Sequence, residues 1–203
     1  MQTNNTHLIL SNNFLSKKLM KLSFILSTLL VLSACSSIHY EGVGIDKSGN
    51  TLVSAIVTED VQKIEALRKA IMTLGPNIVA SEANFVAREA VLHPKVLANR
   101  YKLMSPPLFH NVLVNYGKRP RGLCWQWTHD MGKQINRPMK SLSFYHGVAF
   151  RREYWREHST LVVSAKGKGV PEGIVLDPWR NSGNLFWSHV KADKKYPWVQ
   201  FTN

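Results

Sequence analysis

The sequence predicts an α+β fold, with N-terminal helices followed by a small antiparallel sheet. From Thr58 to about Ile135, apolar residues recur at steps of three and four, which is the spacing of amphipathic helices. After Pro138 the pattern changes to short runs rich in aromatic and β-branched residues, which are typical of strands. Glycines, prolines and asparagines separate these runs and indicate short connections.

Four helices are predicted before the sheet. The first runs from about Thr58 to Gly75-Pro76, and the second begins near Ser81 and is broken or restarted at Pro94. The third runs from about Pro106 to Gly117, and the fourth from Gly122–Cys124 to about Ile135. Four strands are predicted after them, over Leu142–Phe150, Ser159–Ala165, Gly173–Asp177 and Leu185–Val190.

The composition limits the class of protein. The 203 residues include 26 Lys and Arg against 13 Asp and Glu, a basic excess that favours anionic surroundings. The basic residues are dispersed rather than gathered in a nucleic-acid-binding module, so lipid head groups, cell-wall polymer or simple solvation explain them better. The two cysteines, Cys35 and Cys124, exclude a disulfide scaffold and a multi-cysteine metal site.

The first 34 residues have the anatomy of a secretory signal peptide. Lys17, Lys18 and Lys21 precede the uncharged apolar run Leu22–Ala34. The run ends in Leu-Ser-Ala-Cys, which resembles the bacterial lipobox, in which the cysteine is acylated and the peptide is cut just before it. The alternative is an ordinary signal peptide with a coincidental Cys35.

Lipidation would anchor the protein on a membrane without spanning it. By resemblance to lipoprotein sorting in two-membrane bacteria, Ser36 after the cysteine predicts the outer membrane, with the protein facing the periplasm. The polar, Asn-rich stretch before Met20 makes Met20 the expected start. Residues 35–57 then form a lipid-anchored tether with one short hairpin near Gly49, and residues 58–203 form the folded domain.

Cys124 is the candidate nucleophile. It follows a glycine turn at the start of a predicted helix, where the helix field favours thiolate over thiol. The alternative is a small buried cysteine in the core. A free thiol in an exported chain carries a risk of oxidation that Ala or Ser would avoid, which favours a functional role.

His158 is the candidate general base, because it lies at the mouth of an apolar strand. His146 is its rival, since it also lies in a predicted strand, whereas His129 is five residues past Cys124 and faces elsewhere on the helix. A lone histidine is more often structural, so the prediction that His158 is a general base depends on the residues near it.

Asp177 ends a strand before Pro178 and is placed to orient the imidazole of His158. The alternative is a turn-starting Asp. A symmetric hairpin from Ala165 to Gly173 would oppose His158 to about residue 180 and put Asp177 on the other face. The pairing therefore requires an asymmetric loop or a bulge.

The order Cys124, His158, Asp177 resembles the papain-like and transglutaminase-like cysteine hydrolase superfamily. The matching features are Trp125 after the cysteine, the apolar strand after the histidine, and the motif Leu-Asp-Pro-Trp around Asp177. The short gaps between the three residues are most similar to bacterial transglutaminase-like proteases. The resemblance covers roughly Pro106–Trp198 and implies a helix followed by strands that carry a catalytic triad.

One departure concerns the oxyanion donor. The glutamine that precedes the cysteine in papain is absent, and Gln126 falls after it. The backbone N–H of Cys124 is the expected donor, with the Asn115 side chain as the second candidate.

These residues predict a membrane-anchored thiol hydrolase that acts on amide bonds in envelope protein or cell-wall peptide, with no metal or organic cofactor. The same triad would also serve acyl transfer to an amine, as in transglutaminases. A third alternative is an envelope lipoprotein that uses the fold only for binding. No nucleic-acid partner is expected.

Overall fold

The computed structural model describes residues 36–135, 137–153 and 156–202. The predicted signal peptide, the predicted start Met20 and the predicted acylation site Cys35 therefore lie outside the described residues. Within the described ranges, no helix is both long and apolar enough to cross a membrane.

The helices lie close to their predicted positions. In the described part of the chain they are α1 (Thr58–Met72), α2 (Ala80–Tyr101), α3 (Pro107–Asn115) and α4 (Cys124–Ile135). The predicted break at Pro94 is wrong, because α2 runs through it. A proline inside a helix removes one backbone hydrogen bond. Here Pro94 is buried among core residues such as Val91 and Leu97, and their packing offsets that loss.

The strands of the described ranges vary from two to eight residues in length. They are β1 (Ser36–Ser37), β2 (Val43–Ile45), β3 (Thr51–Val53), β4 (Met104–Ser105), β5 (Leu142–Ala149), β6 (His158–Ala165), β7 (Ile174–Asp177), β8 (Phe186–His189) and β9 (Val199–Gln200). The main sheet has the order β8-β7-β6-β5-β9, and its neighbouring strands are antiparallel. The fold is thus α+β, as predicted, and β9 is an addition that the sequence pattern did not reveal.

The segment predicted as a tether packs against the helices. Strands β2 and β3 form the hairpin expected near Gly49. Thr51 in β3 is 1% exposed, and its hydroxyl donates to the buried carboxylate of Glu89 on α2 at 2.6 Å. Tyr40 donates its backbone N–H to the Asn99 side chain at 2.8 Å. Residues 40–53 therefore belong to the packed domain.

The sheet is covered on both faces. One face packs on α2 and α4, where Leu161 and Leu176 join the main core with Trp127. The other face carries a second cluster around Val162 and Val175. Strand β6 is buried along almost its full length because both faces are covered.

The register of β6 and β7 differs by one residue from the symmetric hairpin. Val162 pairs with Val175, so continuing the register places Thr160 opposite Asp177 and His158 opposite Trp179. His158 and Asp177 therefore share one face as diagonal neighbours, which lie about 7–8 Å apart between backbones. The connection contains a single 3₁₀ turn, Val170–Glu172, and its asymmetry supplies the shift.

Candidate active site

A glycine turn with positive φ precedes the thiol. Cys124 is the first residue of α4 and is partly exposed. Gly122 has φ of +131°, a conformation that side chains disfavour. A Cβ at Gly122 would lie 2.3 Å from Nε2 of His110, so the imidazole fills the space that a side chain would need. The turn before the candidate nucleophile therefore requires glycine.

Side chains from α4 hold this turn. Oε1 of Gln126 accepts the backbone N–H groups of Gly122 and Leu123 at 2.7 and 3.0 Å. The indole of Trp127 donates to the Gly122 carbonyl at 3.0 Å. Gln126, which lies on the wrong side of Cys124 for the papain oxyanion role, thus caps the start of the helix instead.

His110 holds the same turn from α3. Its Nδ1 accepts the Met104 N–H at 3.1 Å, so its Nε2 carries the proton and donates to the Arg121 carbonyl at 2.8 Å. Burial lowers the pKa of His110, which keeps it neutral and preserves this tautomer. The sequence does not predict this role for His110, because nothing in the local pattern connects it to Gly122.

The structure brings His158 and Asp177 together. Nε2 of His158 donates to Oδ2 of Asp177 at 2.7 Å, and both side chains are almost completely buried. Each residue lies at the end of its strand, where the backbone leaves the sheet. This hydrogen bond leaves Nδ1 of His158 as the ring nitrogen available to another group.

Arg180 and Asp193 hold the carboxylate of Asp177. Arg180 donates from Nε to Oδ2 of Asp177 at 3.0 Å and from its backbone N–H to Oδ1 at 3.2 Å. Its Nη2 reaches Asp193 at 2.6 Å, and Asp193 also accepts the indole N–H of Trp198 at 2.9 Å. Arg180 is thus shared between two buried carboxylates, and His158 is the second cationic group that can contact Asp177.

The surroundings of His158 change the pKa of its imidazole. Burial alone lowers the pKa of the imidazole, but the Asp177 carboxylate outweighs it through its charge and hydrogen bond, and the pKa rises to about 9. Cys124 adds a smaller contribution in the same direction. His158 is therefore an imidazolium at neutral pH.

The imidazole is hydrogen-bonded to Asp177 but not to the thiol. Cys124 lies close enough to raise the pKa of His158, yet it makes no hydrogen bond of ordinary geometry with the ring. Nucleophile–base contacts are often long in enzymes without substrate and tighten only when the substrate binds. The structure therefore joins two of the three predicted residues by a hydrogen bond, and the role of Cys124 as their nucleophile stays a prediction.

Aromatic rings surround His158 on the remaining sides. The ring centroids of Trp179, Tyr196 and Trp198 lie 4.6, 4.8 and 5.4 Å from that of the imidazole. Trp179 is anchored by its indole N–H, which donates to Asn111 of α3 at 3.0 Å. This wall excludes water from the His158–Asp177 pair and strengthens their electrostatic interaction.

The rival and secondary candidates lie elsewhere. His146 is half-buried in β5 and stacks on Phe201 with ring centroids 4.7 Å apart. His129 points to the surface and contacts Asp130. Asn115 is exposed at the last turn of α3 with no side-chain hydrogen bond to a described residue. Its role as an oxyanion donor stays a prediction.

The backbone N–H of Cys124 remains available as a donor. It is the first N–H of α4, and no described residue accepts a hydrogen bond from it. A helix start leaves such groups without intrahelical partners, which suits them to stabilise an anion. Among the described residues, no group of three or more His, Cys, Asp or Glu is arranged to hold a metal ion.

Comparison of the chain with family models, curated proteins and solved structures gives no match. The geometry of the site is therefore the basis for assigning a function.

Proposed function

We propose that this protein is a thiol hydrolase of the papain-like and transglutaminase-like type, acting on amide bonds. The observation that carries the proposal is the buried hydrogen bond between His158 and Asp177, which adjoins a partly exposed thiol at a helix start. A nucleophile, a base and a group that orients the base are the three parts that covalent acyl chemistry needs.

In the proposed reaction, the Cys124 thiolate attacks the carbonyl carbon of the substrate while His158 holds the proton as imidazolium. The negative charge that develops on the carbonyl oxygen is stabilised by the Cys124 backbone N–H. The C–N bond then breaks, and His158 gives its proton to the leaving amine. A thioester on Cys124 remains.

Hydrolysis of the thioester completes the cycle. Neutral His158 takes a proton from water, and the hydroxide attacks the thioester carbon. The C–S bond breaks, the carboxylic acid leaves, and the sulfur departs as thiolate beside the imidazolium. Asp177 keeps Nε2 of His158 protonated throughout, so that Nδ1 handles the moving proton.

The proposed location is the bacterial cell envelope, with acyl chains on Cys35 holding the protein at the outer membrane. The apolar run Leu22–Ala34 and the Leu-Ser-Ala-Cys ending support this. The proposed substrates are envelope proteins or the peptide part of the cell wall. The basic excess of the chain supports an anionic neighbourhood of this kind.

Alkylation of Cys124 tests the proposed site. We expect iodoacetamide to modify Cys124 at pH 6 much faster than a free cysteine, whose pKa is about 8.5, because the imidazolium of His158 favours the thiolate. His158→Ala should remove most of that excess. The Cys124 peptide is followed by mass spectrometry. A rate that matches a model thiol at every pH contradicts the proposal and favours a binding protein.

Metabolic labelling with a fatty-acid analogue tests the anchor. We expect the wild type to carry the label and to stay with the membrane fraction, and Cys35→Ala to lose both. Cys124→Ala is the matched control and should keep both. An unlabelled, freely soluble wild type would show that Cys35 is not acylated.

A further inference from the structure

Three large apolar side chains lie exposed in a row along α3. Leu108, Val112 and Tyr116 follow at steps of four residues, which places them on one side of the helix, and they are 65%, 48% and 77% exposed. Other sides of α3 hold it in the domain, where His110 is completely buried and Asn111 hydrogen-bonds to the segment after β7. This row, the apolar stripe, takes no part in the core and indicates a binding surface.

Three basic residues lie together beside α3. Arg119, which follows the helix, donates from Nε to the Lys102 carbonyl and from Nη1 to the Lys118 carbonyl, each at 2.9 Å. Lys102 precedes the helix, so these hydrogen bonds join its two flanks into one basic cluster. The chain contains no Asp or Glu from Lys102 to His129. Apolar side chains beside such a cluster are typical of helices that lie at the interface of anionic membranes.

The chain enters the described domain next to the basic cluster. Ile38 donates its backbone N–H to the Leu103 carbonyl at 2.8 Å, and Leu103 directly follows Lys102. Cys35 precedes Ile38 by three residues, so acyl chains on Cys35 would begin within roughly 11 Å of this hydrogen bond. A tether this short would keep the surface around Leu103 against the bilayer.

The apolar stripe lies near the same point, because α3 folds back on β4. A single residue, Pro106, joins the strand to the helix. Met104 at the start of β4 donates its N–H to Nδ1 of His110, in the middle of α3, at 3.1 Å. The helix has nine residues and is roughly 14 Å long, so all of it lies close to the predicted point of attachment.

We propose that α3 lies on an anionic phospholipid surface, with the apolar stripe at the boundary between head groups and acyl chains and the basic cluster against the phosphates. The inference rests on the proposed acylation of Cys35. It adds a second membrane contact, which fixes the side of the domain that faces the bilayer. Apolar side chains and positive charge each strengthen the binding of a lipid-anchored protein to an anionic membrane.

Hydroxyl-radical footprinting of the acylated protein on vesicles of phosphatidylcholine and phosphatidylglycerol tests this. Oxidation of Leu108 is compared by mass spectrometry with that of Leu52 on the β2–β3 hairpin, which is 55% exposed. Leu52 follows Thr51, which bonds Glu89, and Glu89 is roughly 18 Å along α2 from its last residue, Tyr101. We expect lipid to slow the oxidation of Leu108 severalfold relative to this control leucine.

Charge reversal tests the role of the basic cluster. Each Lys or Arg near an anionic membrane contributes about fivefold to binding. Lys102→Glu combined with Lys118→Glu should therefore restore the oxidation of Leu108 to the level of the control leucine. Lys166→Glu combined with Lys168→Glu is the matched control, because these residues follow β6 at the end far from the candidate site, and it should leave Leu108 protected.

The outcomes separate this inference from the anchor. Acylated protein that stays on the vesicles, with Leu108 and Leu52 oxidised alike, overturns the contact of α3 while the anchor stands. Protection of Leu108 that survives the charge reversal overturns the anionic lipid, and if it also grows with protein concentration in detergent micelles, the apolar stripe contacts a second copy of the chain. Protein that is neither acylated nor bound to vesicles overturns the anchor and the inference together.

Discussion

Asp177→Asn tests the electrostatic link between the two buried residues of the candidate site. The carboxylate of Asp177 contributes most of what raises the pKa of His158 to about 9 from an ordinary 6.5. That difference corresponds to about 3 kcal/mol in favour of the imidazolium. An amide of the same shape supplies no charge, and burial, which lowers the pKa of His158, then dominates.

We therefore expect the pKa of His158 to fall to 6.5 or below in Asp177→Asn, so that the ring is mostly neutral at pH 7. The amide also permits the wrong imidazole tautomer. The loss of turnover approaches about ten-thousandfold in the serine triad. It should be smaller here and smaller than for Cys124→Ala, because a thiolate forms more readily than an alkoxide. The fold should survive, since the change is nearly isosteric and Pro178 still follows the strand.

The assay is the pH profile of Cys124 modification by iodoacetamide, together with NMR titration of the His158 ring. The wild type should react well at pH 6, whereas Asp177→Asn should react well only at alkaline pH. Asp193→Asn is the matched control, because Asp193 holds Arg180 but does not touch His158. If Asp177→Asn reacts at the wild-type rate while His146→Ala abolishes the reaction, the triad assignment is wrong.

The remaining predictions concern stability. Gly122→Ala should lower the free energy of unfolding in urea by about 2–3 kcal/mol, because φ of +131° is strained for alanine and the new Cβ meets His110. Gly117→Ala has positive φ but open space around the new Cβ, so it should lower that free energy less. Equal losses would argue against the His110 contact. Burial lowers the pKa of His93 to about 4, so the unfolded state binds the proton first and up to about 3 kcal/mol of stability is lost as pH falls from 6.5 towards 4. His93→Asn should flatten that acid slope, and an unchanged slope would assign it to other groups. The raised pKa of His158 has the opposite sign, so its stabilisation is complete below 6.5 and is lost as pH rises through about 9, which thermal unfolding between pH 7 and 10 would detect.

Periodicity predicted most of the elements because they depend on local patterns. The start of α4 at Cys124 follows from a glycine turn and an amphipathic run, and both are visible in the sequence. The prediction of a break in α2 at Pro94 was wrong, because it considered the hydrogen bond that proline removes but not the core packing that offsets this loss. Strand β9 is two residues long and has no period of its own, so only its pairing with β5 defines it.

The candidate site was likewise predictable only in part. Residue type and position at the ends of elements predict Cys124, His158 and Asp177, and the structure joins His158 to Asp177 by a hydrogen bond. The residues that hold them in place were not predictable from the sequence. Arg180 follows β7 and hydrogen-bonds to Asp193, which follows β8, because the chain folds back between them. His110 reaches Gly122 from another helix. Contacts of this kind depend on three-dimensional proximity, which no spacing rule encodes.

The sequence by itself determined the α+β order of elements, the thiol at a helix start and the apolar strands that carry the histidine and the aspartate. These follow from hydrophobic period, turn residues and helix termini, all of which act over a few residues. Only the tertiary structure decided the register of β6 and β7, where a shift of one residue moves every side chain to the other face of the sheet. That register depends on the shape of the connection and on packing against both faces, and it is what allows His158 to bond Asp177.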